Sequence, residues 1–354
     1  MESVASKVRI ISALLFVFIA GLFLASGQQV QAVDYTEPVP LPELGADTFL
    51  GVQGGLYPDG QNEPPMAYLA ALAAVSEALA NDNQVVVVAI GPSIMQNSVN
   101  GFMPFLNLPE VNDNIIFVDG SLGSNQQRFE NPDYFGWNVG INRLPAGLTA
   151  VDVDIVFYYN ALTSPSGSFP DFVQTAADSF EITYNIINDK FPNVQLILQN
   201  SQHYAGHCGQ CKAPEPYAYY NGFAVKELIE RRINGEIDGA LIAWNAYQWD
   251  DTWPANYYTD GLHLSGLGQQ ATGQLWHDYL STSFNAIWYL DSTAQPTITP
   301  TTTAVFTSTP MPTVEVTATP SPFPSITATG EPTMTATVAW CGRACQTATA
   351  QAGD

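Results

Sequence analysis

Ser93, Asp260 and His263 are the residues whose types and placement point to covalent chemistry. A serine hydroxyl is a weak nucleophile until a neutral imidazole takes its proton, and the imidazole needs an acceptor to hold its tautomer. Asp260-Gly261-Leu262-His263 places a carboxylate and an imidazole three residues apart, so one loop can present both. Ser93 is the first hydroxyl after a strand-like run that ends in Gly91-Pro92. The reaction these groups support is nucleophilic acyl transfer, which also needs donors aimed at the carbonyl oxygen as it gains charge. Gly120, Gly123 and Asn160 are the candidates, together with the backbone N–H of Ser93 itself.

Such residues are useful only if strands and helices bring them together. Val85 to Ile90 is an unbroken apolar run rich in β-branched residues, the pattern of a strand buried on both faces of a parallel sheet. Further strands are expected at 114–118, 153–159, 194–198 and 237–243, and helices at 66–80, 171–190, 217–233 and about 265–283. That alternation predicts one parallel α/β sheet with helices on both faces. Gly120 and Gly123 then follow the second strand and Asn160 the third, while Asp260 and His263 precede the last helix. In open α/β sheets ligands sit at the carboxyl ends of the strands, so four separate loops converge there. The glycine-rich stretch from Gly54 to Gly60 lacks the Gly-Lys-Ser/Thr ending of a phosphate loop and reads as a structural loop near the sheet edge.

With these motifs in place the sequence resembles the SGNH, or GDSL-like, hydrolase superfamily over roughly residues 49–283. Gly91-Pro92-Ser93-Ile94 stands in the Gly-Asp-Ser-Leu position, with Pro92 replacing the usual Asp. Gly123 or Gly120 matches the second-block glycine, and Asn160 matches the third-block asparagine within Tyr-Asn-Ala rather than Gly-Asn-Asp. Asp260-Gly-Leu-His263 matches the terminal pair. The resemblance implies a three-layer, flavodoxin-like α/β fold and a serine-dependent ester hydrolase with catalytic Ser93, Asp260 and His263. It also implies an oxyanion hole from Ser93, Gly123 or Gly120, and Asn160, with no cofactor and no metal. A catalytically silent carbohydrate-binding module on the same fold is the alternative from another functional class.

Composition narrows the partners. The 354 residues carry a formal charge of −23 with only ten Lys plus Arg. That surface repels phosphate backbones and anionic headgroups, which disfavours nucleic-acid binding and electrostatic membrane binding. Residues 1–32 combine Lys7 and Arg9, an apolar segment and Val30-Gln31-Ala32, the pattern of a signal peptide, with a signal anchor as the alternative. The body, residues 33–291, is therefore expected outside the cytoplasm as a secreted domain. Residues 292–354 are rich in Thr, Pro, Ala and Ser and read as a low-complexity stalk.

His203-Tyr204-Ala205-Gly206-His207-Cys208-Gly209-Gln210-Cys211 packs two His and two Cys into nine positions. In an exported chain a Cys208–Cys211 disulfide is expected, with zinc ligation and a zinc-dependent hydrolase as the rival reading. Cys341 and Cys345 in the tail are expected to pair with each other, with cross-pairing to the body as the alternative. Because the loop follows the fourth strand, His203 and Tyr204 are expected to contact substrate. Trp244, Tyr247, Trp249, Trp253, Tyr257 and Tyr258 crowd the approach to Asp260 among amides and carboxylates. This composition predicts a sugar-binding wall in which Trp249 and Trp253 contact an acylated glycan, making the enzyme a carbohydrate O-deacetylase. Half of these rings are expected to pack the loop onto the sheet instead.

Overall fold

Val85–Ile90 (β1) is buried along its whole length, and its neighbours explain why. In the computed structural model, which describes residues 33–163 and 166–291, β1 lies between two other strands. Ile115–Asp119 (β2) pairs with it on one side and Ile155–Tyr159 (β3) on the other, both parallel. Leu196–Asn200 (β4) and Leu241–Trp244 (β5) extend the sheet in the same direction, giving the order β2-β1-β3-β4-β5. This is the flavodoxin-like order, whose ligands sit at the switch point beyond β1 and β3. The alternation of β1 feeds two separate cores. Val86, Val88 and Ile90 enter one and Val85, Val87 and Ala89 the other.

Among the described residues six helices of eight residues or more cover the two faces: Met66–Ala80 (α1), Ser93–Phe102 (α2), Gly136–Arg143 (α3), Asp171–Lys190 (α4), Tyr217–Ile233 (α5) and Gly266–Thr282 (α6). Tyr68 and Leu72 of α1, Met95 and Phe102 of α2, and Trp276 of α6 pack on the face that takes Val87. Trp137 of α3, Phe172 and Phe180 of α4, and Phe223 and Leu228 of α5 pack on the opposite face. The result is the three-layer α/β arrangement expected from the sequence. Each buried aliphatic or aromatic side chain contributes about 1.5–3 kcal/mol relative to exposure, so these two layers carry most of the stability.

Two helices matter most for the chemistry, because α2 begins at Ser93 and α6 follows the loop that holds His263. They cross with backbone against backbone at Gly101 and Gly273. A Cβ on Gly101 would overlap the Gln269 carbonyl, and one on Gly273 would overlap the Gly101 carbonyl. Gly101→Ala is therefore expected to lower stability by about 3 kcal/mol, the upper range for overpacking. A urea midpoint equal to that of the parent protein would refute this reading of the crossing.

The structure refines several expected boundaries. β1, α1, α4 and α5 match the expected spans, whereas β4 and β5 begin at Leu196 and Leu241, inside the apolar runs that signalled them, and end beyond those runs at Asn200 and Trp244. Ile237 and Ala240 are buried without pairing, since apolar character reports burial rather than ladder bonds. Helices α2 and α3 were not anticipated, nor was a small sheet of Asp34–Tyr35, Thr48–Phe49 and Val52–Gln53. The glycine loop docks on the β5 edge, where Trp244 Nε1 donates to the Leu56 carbonyl at 2.7 Å. No helix among the described residues is long and apolar enough to cross a membrane. The export segment, the stalk and Cys341 and Cys345 lie outside the described residues.

Candidate active site

Gly91 makes the turn out of β1 with φ +154°, a conformation that side-chain-bearing residues rarely adopt. A Cβ there would also press on Met95 Cβ at 2.9 Å and Tyr159 Cβ at 3.2 Å. The turn delivers Ser93 as the first residue of α2, so its N–H is among those with no partner inside the helix. Ser93 Oγ lies 2.9 Å from His263 Nε2, although 170 residues separate them. His263 Nδ1 in turn lies 2.7 Å from Asp260 Oδ2. An ionised carboxylate only accepts, so the ring proton sits on Nδ1 and the Nε2 lone pair faces the serine hydroxyl.

Asp260 serves the loop and the ring at once. Its Oδ1 accepts from the backbone N–H groups of Leu262 at 3.0 Å and His263 at 2.7 Å, while Oδ2 holds the ring. Partial burial works against the charge, but the bonds from the His263 backbone, the His263 ring and Leu262 prevail and lower its pKa to about 2. The carboxylate thus stays ionised throughout the neutral pH range.

Two further side chains hold this loop in place. Asn97, one turn along α2 from Ser93, accepts from the Leu264 N–H at 3.1 Å and ties the serine helix to the histidine loop. His203 is buried, and its Nε2 lies 2.7 Å from the Leu262 carbonyl, which fixes that nitrogen as the donor. Burial pushes the His203 pKa down from 6.5 to about 4, with the Leu262 carbonyl opposing the shift. A base whose folded pKa is lowered leaves stability intact above pH 6.5 and lost progressively as pH falls toward 4. That loss is expected to reach roughly 3 kcal/mol, and His203→Gln should flatten the pH dependence of the urea midpoint between pH 6.5 and 4. An unchanged slope would exclude His203 as its source.

The donors for an oxyanion come from the neighbouring strands. Asn160 follows β3, two residues beyond the Ile90–Tyr158 pair and alongside the Gly91-Pro92 turn. It is buried, and its Nδ2 has no hydrogen-bond partner among the described residues. The loop after β2 runs beside the same turn, with Leu122 N–H donating to the Gly91 carbonyl at 3.1 Å. The two glycine candidates separate here. Gly120 N–H is already bonded to the Ala89 carbonyl at 2.8 Å, which removes it from the hole. Its missing Cβ lets α3 approach, since a Cβ would lie 2.7 Å from Gly140 Cα. Gly123 has open space where a Cβ would stand and remains the candidate donor. Gly120→Ala is accordingly expected to destabilise the fold by about 1–3 kcal/mol, whereas Gly123→Ala should leave the urea midpoint unchanged. Equal midpoints for the two variants would contradict this division.

The expected substrate wall is corrected by the structure. Trp249 is buried, with Nε1 donating to Glu215 Oε1 at 2.9 Å. Trp253 is buried against Tyr258 and Leu264, and Trp244 and Tyr247 are buried as well. These rings fill the space beneath the loop instead of lining a groove. His203 likewise braces the loop from below, out of reach of substrate. Tyr204 is half-buried, its ring edge-on to Trp249 at 5.7 Å.

The expected Cys208–Cys211 disulfide is also corrected. Both are free thiols in the structure. Burial, then the Cys208 contact, raises the Cys211 pKa to about 12. The His207–Cys208 backbone lies directly on Gly261, where a Cβ would come within 2.6 Å of Cys208 Cα. Packing against the Asp260–His263 loop thus accounts for the position of the segment. Nor does it gather metal ligands: no group of three His, Cys, Asp or Glu side chains suited to a metal occurs among the described residues. His203 and His207 direct Nε2 to the carbonyls of Leu262 and Trp253.

No protein-family model matches the chain, and no curated protein matches it. Among solved structures it is similar to a candidate GDSL-like lipase from Parabacteroides merdae, at 13% identity and a TM-score of 0.37, over 56% of this chain and 96% of the other. It is similar also to a candidate platelet activating factor structure from Streptococcus pneumonia, at 13% identity and a TM-score of 0.35, over 60% and 93%. The assignment of fold stands on the strand order. That order is the flavodoxin-like α/β arrangement the SGNH resemblance implies. The structure brings together Ser93, His263 and Asp260, all three named from the sequence, whereas Asn97 and Gln126 were not named there. Asn97 was within reach, because Met95, Val99 and Phe102 mark a helical face that places it one turn from Ser93. Gln126 carried no local signal.

Proposed function

We propose that the protein is a serine-dependent ester hydrolase that works without a cofactor. The observation that carries the reading is the chain of bonds from Ser93 through His263 to Asp260, assembled from two loops at the carboxyl end of the sheet. Ser93 Oγ attacks the ester carbonyl as its proton passes to His263 Nε2. The charge that forms on the carbonyl oxygen is met by the N–H groups of Ser93 and Gly123 and by Asn160 Nδ2, each such donor being worth about 3 kcal/mol. Collapse expels the alkoxide, which takes the proton back from His263, leaving an acyl group on Ser93. A water, deprotonated by His263 Nε2, then attacks that acyl carbonyl and restores the serine. Asp260 stays ionised and holds the ring through both halves.

The finer reading, a carbohydrate O-deacetylase acting outside the cell, loses the support of the aromatic wall. It retains that of the export-like segment at residues 1–32. Half-exposed His263 and Asp260 side chains, at 38% and 56%, fit an ester on the surface of a large substrate better than one drawn into a deep tunnel. The test is a substrate series with the purified protein: aryl acetate, acetylated polysaccharide and long-chain aryl esters. Hydrolysis of the short esters with acetate release from the polysaccharide is expected. Preference for long chains would overturn the deacetylase reading, and inertness toward every ester would overturn the hydrolase.

A further inference from the structure

Resting on the hydrolase reading, we infer that Gln126 is the residue that sets the orientation of the Asn160 amide and so makes the oxyanion hole a donor. An asparagine side chain has two orientations that exchange its oxygen and its NH₂ with almost no change of shape. In one, Asn160 offers N–H to a forming oxyanion; in the other it offers a carbonyl, which repels the charge. The backbone of Asn160 is fixed, since its N–H donates to the Asn200 carbonyl at 3.1 Å. That bond leaves the amide flip undecided, and only the groups around the side chain can choose.

Gln126 makes the choice, because reversing its own amide would leave both of its N–H groups without an acceptor. As placed, only its Oε1 lacks a partner among the described residues, the cheaper loss. Its NH₂ has two hydrogens and two acceptors: Tyr158 OH at 2.6 Å and Asn160 Oδ1 at 3.2 Å. Gln126, Tyr158 and Asn160 are all buried, so no bulk water competes. With Oδ1 held by this donor, Nδ2 is the end left without a partner. Thr183 Oγ1 also lies 3.3 Å from Asn160 Oδ1, but its single proton has a closer acceptor in the Phe180 carbonyl at 2.8 Å. Gln126 is therefore the decisive donor and Thr183 a secondary one. Gln126 enters from the loop after β2, the same loop that supplies Gly123, so one segment offers a donor and orients another.

The test compares Gln126→Met, which removes the donor, with Gln126→Glu, which keeps the shape and inverts the polarity. Both are assayed beside Thr183→Val for kcat and KM on an aryl acetate. Inhibition is measured with an aryl trifluoromethyl ketone, which forms an oxyanion on Ser93, and with the product alcohol, which does not. The expected result is a 10- to 100-fold fall in kcat for both Gln126 variants with KM within about twofold. Ketone binding should weaken in proportion, alcohol binding should be unchanged, and Thr183→Val should cost less than fivefold. A role confined to packing would instead move the urea midpoint and leave kcat of the folded protein near parental, which would overturn the inference. So would a Thr183→Val effect as large as that of Gln126→Met. If the charged variant fails to fold, Gln126→Met alone decides. Parental protein that hydrolyses no ester would fail the hydrolase reading itself, whereas active parental protein with unimpaired Gln126 variants fails only this inference.

Discussion

Ser93→Ala is expected to lower kcat on an aryl acetate by about 10⁴-fold or more, with the fold unchanged. The magnitude follows from losing the covalent route entirely, so that only the hole and substrate binding remain. Ser93 is partly exposed at the start of α2, and its side chain makes its one described bond to His263, so truncation leaves no cavity in either core. The circular dichroism spectrum and urea midpoint should match those of the parent. A variant that kept its rate would show that the hydrolysis occurs elsewhere on the molecule. A variant that lost both rate and fold would show that the hydroxyl has a structural role.

Asp260→Asn is expected to lower kcat by about 10³-fold while raising KM little. The amide oxygen can still accept from the Leu262 and His263 backbone N–H groups, so the loop keeps its shape. The amide NH₂ would then face Nδ1 and demand an acceptor there, moving the ring proton to Nε2. That tautomer points a hydrogen at Ser93 Oγ, where a base is needed, and a wrong tautomer costs three to four orders of magnitude in a comparable triad. Because Asp260 is held down to about 2, its protonation cannot shape the activity profile near neutral pH. The stability this carboxylate lends the loop is present above pH 3.8 and lost as pH falls toward 2. Asp260→Asn should show the parental rate at no pH from 5 to 9; recovery at the alkaline end would point to a charge effect instead of a tautomer.

How far the sequence could be read depended on what each residue reports. β1 was legible because six consecutive apolar residues admit little but a strand buried on both faces, and α4 because its apolar spacing is helical for twenty residues. The Asp260–His263 pair was legible because both groups act within one loop. Helix α2 was masked by its polar content, Gln96, Asn97, Ser98 and Asn100, although Ile94, Met95, Val99 and Phe102 define its buried face. The aromatic run misled for a different reason. Rings beside carboxylates look the same in sequence whether they face a groove or hold up a loop, and burial of Trp249 and Trp253 decides between the two. The cysteine pair was read as covalent from spacing and compartment, neither of which reports whether the bond has formed. Gln126 was beyond reach, since its meaning arises only when the loop after β2 folds against the end of β3.

The central claim is that Ser93 is an activated nucleophile, and a fluorophosphonate probe tests it most directly. Mass spectrometry of the digested, labelled protein is expected to find one phosphonyl adduct, on the peptide containing Ser93, absent in His263→Ala. Protein that hydrolyses esters yet carries no adduct at Ser93, or carries it on another side chain, would contradict the account.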